Sequence, residues 1–174
     1  MFAHIVTNLA LLVPLAVAII HYDVRYRRIP NVLVLATLIS GVTINSVHQG
    51  LDGMIASLGG CALAFFLMFV MHIFGAMGAG DVKLFAAIGS VIGLSLIIQT
   101  FFVIVLMGGA LAVFSIIRAG TVRSTMHNVM MILLGLLPGW EMPRFTVPAD
   151  RRHTIPYGVA ITTGSLISLM LFHA

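Results

Sequence analysis

The sequence predicts an all-α integral membrane protein with six transmembrane helices and both termini extracytoplasmic. Three observations carry this expectation. Of 174 residues, 60% are apolar and only 8% charged, with a mean hydropathy of +1.14; a soluble domain carries about 25% charged residues. Apolar runs recur along the whole chain, and the length suits about six spans of ~20 residues plus connecting loops. With six spans drawn, the loops after the first, third and fifth share one side of the membrane. Those loops and their borders hold all nine Lys and Arg residues, and the positive-inside rule makes that side cytoplasmic.

The first span covers about residues 2–20. No Lys or Arg precedes it, whereas a secretory signal needs a basic start, so it reads as a retained span. It ends in the basic loop His21-Tyr22-Asp23-Val24-Arg25-Tyr26-Arg27-Arg28-Ile29-Pro30-Asn31. Pro30 interrupts the pattern there and is tolerated in the first turn of a new helix. The second span, 31–47, closes at the polar turn His48-Gln49-Gly50-Leu51-Asp52-Gly53, and the third, 54–74, is the most apolar.

After the glycine-rich stretch Gly75–Lys83 comes a fourth span, 82–98. It contains Gly89-Ser90-Val91-Ile92-Gly93, a small-xxx-small pattern that lets helices approach closely. Gln99-Thr100 reads as a minimal turn before the fifth span, 100–117. The segment 118–155 carries Arg118, Arg123, Arg144, Arg151 and Arg152. Its apolar middle, 126–137, is too short to span and reads as an interfacial or re-entrant helix. Pro156-Tyr157-Gly158 opens the last span, 156–172, so the chain reads as one membrane-embedded domain.

Several function classes are set aside on composition. The net charge of +4 comes from cations dispersed over membrane loops, which form no continuous nucleic-acid patch. The single Cys61 allows no internal disulfide and no Cys-rich zinc module. His72, His127 and His153 lack metal-ligand spacing, so no metal is assigned. The glycine stretch lacks the G-x-x-x-x-G-K-[ST] pattern of a phosphate loop.

What needs a reason is an aspartate beside hydrocarbon, where a charge at the centre of a span costs about 2.5–3.5 kcal/mol. Asp81 sits at the cytoplasmic start of the fourth span and Asp23 at the cytoplasmic end of the first. Asp52 falls on the opposite face, and Glu141 and Asp150 lie in the long loop. Two carboxylates at one membrane depth are the ingredients of an aspartic protease dyad, which shares a proton because two nearby like charges do not both ionise cheaply. A plainer reading also stands on spacing alone. Asp23 pairs with Arg25 or Arg27, and Asp81 pairs with Lys83 or a helix N-terminus.

The wording around the two aspartates goes further than their spacing. Gly78-Ala79-Gly80-Asp81 matches the GxGD motif of intramembrane aspartyl proteases. The longer Gly75-Ala76-Met77-Gly78-Ala79-Gly80-Asp81-Val82-Lys83-Leu84 closely resembles the prepilin peptidase (type IV leader peptidase) family. Asp23, in its D-x-x-x-x-x-I-P-N setting, is similar to that family's other catalytic aspartate, and Pro156-Tyr157-Gly158 to a third signature. The resemblance implies a membrane aspartic endopeptidase with Asp23 and Asp81 as the catalytic pair. It implies cleavage of the basic leader of type IV or Flp prepilin-like proteins, after a glycine, on the cytoplasmic side of the inner (plasma) membrane. Gly78, Gly80, Lys83, Pro156, Tyr157 and Gly158 stand around the pair as substrate-binding or site-shaping residues.

Larger bacterial members of that family carry two Cys-x-x-Cys pairs in a cytoplasmic insert and also methylate the new N-terminus. With one cysteine, this chain resembles the short, protease-only type of Flp pili, which implies no cofactor and no S-adenosylmethionine. Archaeal preflagellin peptidases are similar too. The expected partners are prepilin-like substrates and membrane lipid, with no nucleic acid. Lys83, two residues past Asp81 and ~200° round a helix from it, reads as snorkelling to the interface, and His21 as a polar span end. The rival function is a small proton-coupled transporter using Asp23 and Asp81 as relay groups. Such a transporter would usually show an internal repeat and a midplane polar site, and the sequence shows neither.

Overall fold

The structure, a computed structural model, describes residues 2–74, 77–135 and 157–172. Among the described residues six α-helices follow in order: α1 (Phe2–Tyr26), α2 (Asn31–Ile73), α3 (Ala79–Ile92), α4 (Ile97–Arg118), α5 (Val122–Gly135) and α6 (Tyr157–Phe172). A short 3-10 turn, Leu94–Leu96, precedes α4, and no strand occurs among the described residues. Thr7–Tyr26, Asn31–Ile73 and Leu94–Arg118 are long and apolar enough to cross a membrane, while α6 is apolar but shorter. By contact the chain divides into two units, 1–108 with 156–174, and 109–155.

The first unit holds the core. As one rod, the 43 residues of α2 would extend about 65 Å at 1.5 Å per residue, twice the hydrocarbon thickness. Instead the chain doubles back at Gly50, where φ is 63° and ψ −136°, a conformation glycine adopts without steric cost. Asn45 Nδ2 donates to Ser57 Oγ at 2.8 Å, and Ser57 Oγ to Gly41 O at 3.3 Å. In an unbroken helix residues so far apart in sequence would be about 18–24 Å apart. Residues 31–49 and 51–73 are therefore antiparallel arms, and the turn lies within the polar segment 48–53 that the sequence marks.

Between these arms, α1 and α6 lies α3. From Leu84 to Ile92 every residue is buried, as expected of a helix apolar all round, and it packs against α1, α2 and α6. Glycines permit this closeness: a Cβ at Gly89 would fall 2.5 Å from Gly60 O, and one at Gly41 2.5 Å from Ser90 Oγ.

The end of α3 differs from the sequence expectation. The helix stops at Ile92 and the chain breaks at Gly93, whose φ is 80°, whereas the sequence places the turn at Gln99-Thr100. Thr100 is instead buried within α4; its hydroxyl donates to Leu96 O at 2.8 Å and meets Ser168 Oγ of α6 at 2.8 Å. A helix ending inside the bundle leaves its last carbonyls without helical partners, which costs several kcal/mol each in hydrocarbon. Buried side chains from α1 and both arms of α2 supply the donors. Ser90 O accepts from Asn45 Nδ2 (2.9 Å) and Ser57 Oγ (2.6 Å), and Val91 O from Asn45 Nδ2 (3.2 Å) and Asn8 Nδ2 (3.3 Å). Outward-facing positions are apolar instead, with Phe66 62%, Phe102 61% and Leu106 73% exposed. That inverts the arrangement of a water-soluble protein and suits lipid.

The second unit contains the end of α4, a turn and α5. Gly120, at φ 65°, closes α4 by a Schellman arrangement, with Thr121 N–H on Ile116 O (3.2 Å) and Gly120 N–H on Ile117 O (3.1 Å). Part of the interfacial segment expected at 126–137 is helical in α5; residues 136–156 lie outside the described residues.

Candidate active site

Asp23 occupies the last turn of α1. Leu12, Ala16, Ile19 and Asp23 recur three or four residues apart and are all buried, so one helical stripe carries both the apolar packing and the carboxylate. Asp23 is only 7% exposed, and a buried carboxylate needs donors. One is the first turn of α6, where Gly158 N–H donates to Asp23 Oδ2 at 2.8 Å. Unpaired amides and the positive end of the helix dipole favour an anion at that position. The glycine permits this approach, since a Cβ there would lie 2.7 Å from the same oxygen and force the carboxylate or the helix to shift. Arg27 follows one helical turn after Asp23. Its backbone turns with φ 52°, and its N–H donates to Asp23 O at 3.0 Å.

Asp81 stands in the first turn of α3. Gly78 is the helix N-cap, with an extended backbone, and its N–H donates to Asp81 Oδ2 at 3.2 Å. Asp81 N–H returns to Gly78 O at 3.1 Å. Asp81 is half-buried. Desolvation, and then the like charge of Asp23, push its carboxyl up from 3.8 to about 6. The two carboxylates, on different helices, are thus close enough to feel each other.

Around this pair the other expected residues separate. Gly78 and Gly158 each give an amide to one aspartate. Gly80 faces open space among the described residues: a Cβ there would have no neighbour within 4 Å, so packing among them does not explain it. Tyr157 begins α6 with its ring beside Gly108. Lys83 is exposed between the buried Val82 and Leu84, away from the pair. Pro156 lies outside the described residues, as do Gly75 and Ala76. Asp52 is exposed next to the Gly50 reversal, far from both aspartates. No group of three or more His, Cys, Asp or Glu able to hold a metal occurs among the described residues.

The sequence weighs His72 only as a metal ligand, and its contact here is of another kind. His72, in the last turn of α2, approaches Met77 O with Nδ1 at 2.7 Å, across the link that carries Gly78 and Asp81. Its spacing of five residues from Met77 gives no recognisable motif.

Two acids within electrostatic range of each other, each accepting from a helix-terminal amide, are the ingredients of an aspartic dyad. A curated prepilin leader peptidase/N-methyltransferase from Bacillus subtilis (strain 168) is 27% identical over 150 residues, covering 85% of this chain and 49% of that protein. The chain thus spans about half the length of the curated relative it matches. No solved structure matches it. The model of the type IV leader peptidase family matches residues 10–113, a stretch that includes both aspartates and most of the chain, and the chain belongs to that family.

Proposed function

We propose that this chain is a membrane aspartic endopeptidase that removes the leader peptide of type IV or Flp prepilin-like proteins. The observation that supports the reading is the placement of two half-buried or buried acids at neighbouring helix ends, Asp23 in the last turn of α1 and Asp81 in the first turn of α3, each accepting from a backbone amide. In this reading the chain has six spans, counting the two arms of α2 separately. Both termini are extracytoplasmic, and the dyad lies at the cytoplasmic edge of the inner membrane.

The step follows from the surroundings of each acid. Asp23, held as carboxylate by the Gly158 amide, takes a proton from water while the water oxygen attacks the scissile carbonyl carbon. Asp81 gives its proton to the carbonyl oxygen. Collapse of the tetrahedral species returns that proton to Asp81 and breaks the C–N bond. The leaving amine takes the proton held by Asp23, and both acids regain their starting states. One proton is shared, so the titration belongs to the pair.

A dyad at the membrane edge reaches a bond where a polar leader meets an apolar helix. Glycine loosens a helix by about 1 kcal/mol relative to alanine and leaves the carbonyl unobstructed. Cleavage after a glycine follows, giving an unmethylated new N-terminus without a cofactor. Mass spectrometry of a pilin precursor co-expressed with this chain tests the proposal. An intact leader, or a cut beyond the hydrophobic stretch, removes it. Reporters fused after Gln49 or at Ala174 should read extracytoplasmic, and those after Arg28 or Arg123 cytoplasmic; a cytoplasmic Ala174 rules out the topology.

A further inference from the structure

We propose that His72 is a positioning residue for Asp81, acting through the peptide group that joins Met77 to Gly78. This rests on the reading of Asp81 as one of the catalytic pair. The oxygen of that peptide is Met77 O, approached by His72 Nδ1 at 2.7 Å. Its nitrogen is Gly78 N, whose hydrogen is given to Asp81 Oδ2 at 3.2 Å. A carbonyl oxygen can only accept, so Nδ1 is the donor and the tautomer is fixed. In a trans peptide the C=O and N–H point to opposite sides, so one flat unit is held at both ends. One end is tied to the last turn of α2 and the other to the carboxylate at the start of α3.

Two physical consequences follow. The side chain holds the plane of the 77–78 peptide, and with it the direction of the amide that Asp81 uses. Hydrogen bonds in such a chain also polarise one another, by about 10–30% per bond, so the His72 bond strengthens the donor at Gly78. The anchor itself is well held. His72 is half-buried with its ring 6.3 Å from that of Phe69, and the Met77 side chain packs on the core cluster of Leu12, Ile19 and Phe85. Glycine at 78 has the freest backbone of any residue, and a glycine amide that must point one way gains most from an external hold.

The test uses the full chain in detergent with a pilin precursor. His72→Phe keeps an aromatic ring beside Phe69 and removes the donor. His72→Asn returns an N–H at the position of Nδ1. His72→Phe should lower kcat about tenfold, the worth of one well-placed hydrogen bond, with KM unchanged and the thermal midpoint lowered by only a few degrees. His72→Asn should restore kcat to within about threefold of wild type. In spectra of 15N-glycine-labelled protein, the Gly78 amide proton should move upfield in His72→Phe and return in His72→Asn. Wild-type kcat in His72→Phe, or no rescue by His72→Asn, overturns the proposal. The amide shift needs no substrate, so an unmoved Gly78 signal overturns it even where the wild type cleaves nothing. A moved signal in an inactive wild type instead sustains the hydrogen-bonded link and refutes the peptidase reading.

Discussion

Replacing Gly158 with alanine tests whether the start of α6 exists to receive the Asp23 carboxylate. The added Cβ would lie 2.7 Å from Oδ2, 3.0 Å from Cγ and 3.2 Å from Cβ of Asp23. Ordinary contact begins at 3.4 Å, so the carboxylate must withdraw by about 0.7 Å or α6 must shift. Asp23 is short, buried and fixed in a packed helix, so it has little freedom to yield. Overpacking of this kind costs about 1–3 kcal/mol, and losing an amide bond to a charged acceptor about 1.5–3 kcal/mol. Alanine recovers up to about 1 kcal/mol of helix propensity. The net expectation is a loss of roughly 1.5–5 kcal/mol, seen as a lower thermal midpoint in detergent. A displacement near 1 Å in a reacting group can cost about a hundredfold in rate, so kcat for precursor cleavage should fall by about that factor. Gly109→Ala is the control, because a Cβ there would have nothing within 4 Å, and it should leave both readouts unchanged. Gly158→Ala with wild-type turnover would show that the Gly158 approach to Asp23 is incidental.

Three further expectations follow from the same geometry. Asp23→Asn and Asp81→Asn should each abolish cleavage while leaving membrane insertion intact, and the double variant should be no worse than either, since groups acting as a unit are non-additive; turnover by either single variant counts against the dyad. Asp81 ionises against burial, so its contribution to stability is fully present below 3.8 and is lost as pH rises through about 6; this is worth up to roughly 3 kcal/mol at 1.36 kcal/mol per unit, less the solvent screening of a half-buried group. The thermal midpoint should therefore fall across that window in wild type and stay flatter in Asp81→Asn, and equal slopes would contradict the placement of Asp81. Gly80→Ala should be at least as stable as wild type, because the space is open and alanine favours the helix by about 1 kcal/mol, yet should cleave slowly if substrate occupies that space; wild-type cleavage would leave Gly80 without a role at the site.

How much of this was legible in the sequence depends on the range of the interaction concerned. Hydropathy is a sum over neighbours in the chain, so the apolar segments, including the two arms of α2, stood out before any coordinates. The polar cluster 48–53 marked the reversal because Gly50 supplies a backbone conformation that other residues resist. The aspartates stand out in the sequence for a related reason, since a carboxylate beside hydrocarbon is costly wherever it occurs. Helix breaks within an apolar run do not. In the sequence Gly93 reads as half of a packing motif, and Gln99-Thr100 as a minimal turn. Thr100 bonds within its own helix and to Ser168, so its polarity is spent inside the bundle and marks no surface.

The interior polar groups were illegible for the same reason, and they determine where Asp81 stands. Asn8, Asn45 and Ser57 lie in separate apolar runs, and nothing in their spacing connects them. What connects them is the buried end of α3, where Ser90 O and Val91 O accept all three side chains. A helix that ends inside the bundle must be held at that end, and only long-range contacts supply the hold. Its other end carries Asp81, tied back to Gly78 and, through the same peptide, to His72. With the far end fixed on α1 and α2, the helix cannot slide along its axis without stripping donors from those carbonyls. The depth of Asp81 relative to Asp23 is therefore set about 15 Å away, at 1.5 Å for each residue of α3 between Asp81 and the held carbonyls of Ser90 and Val91.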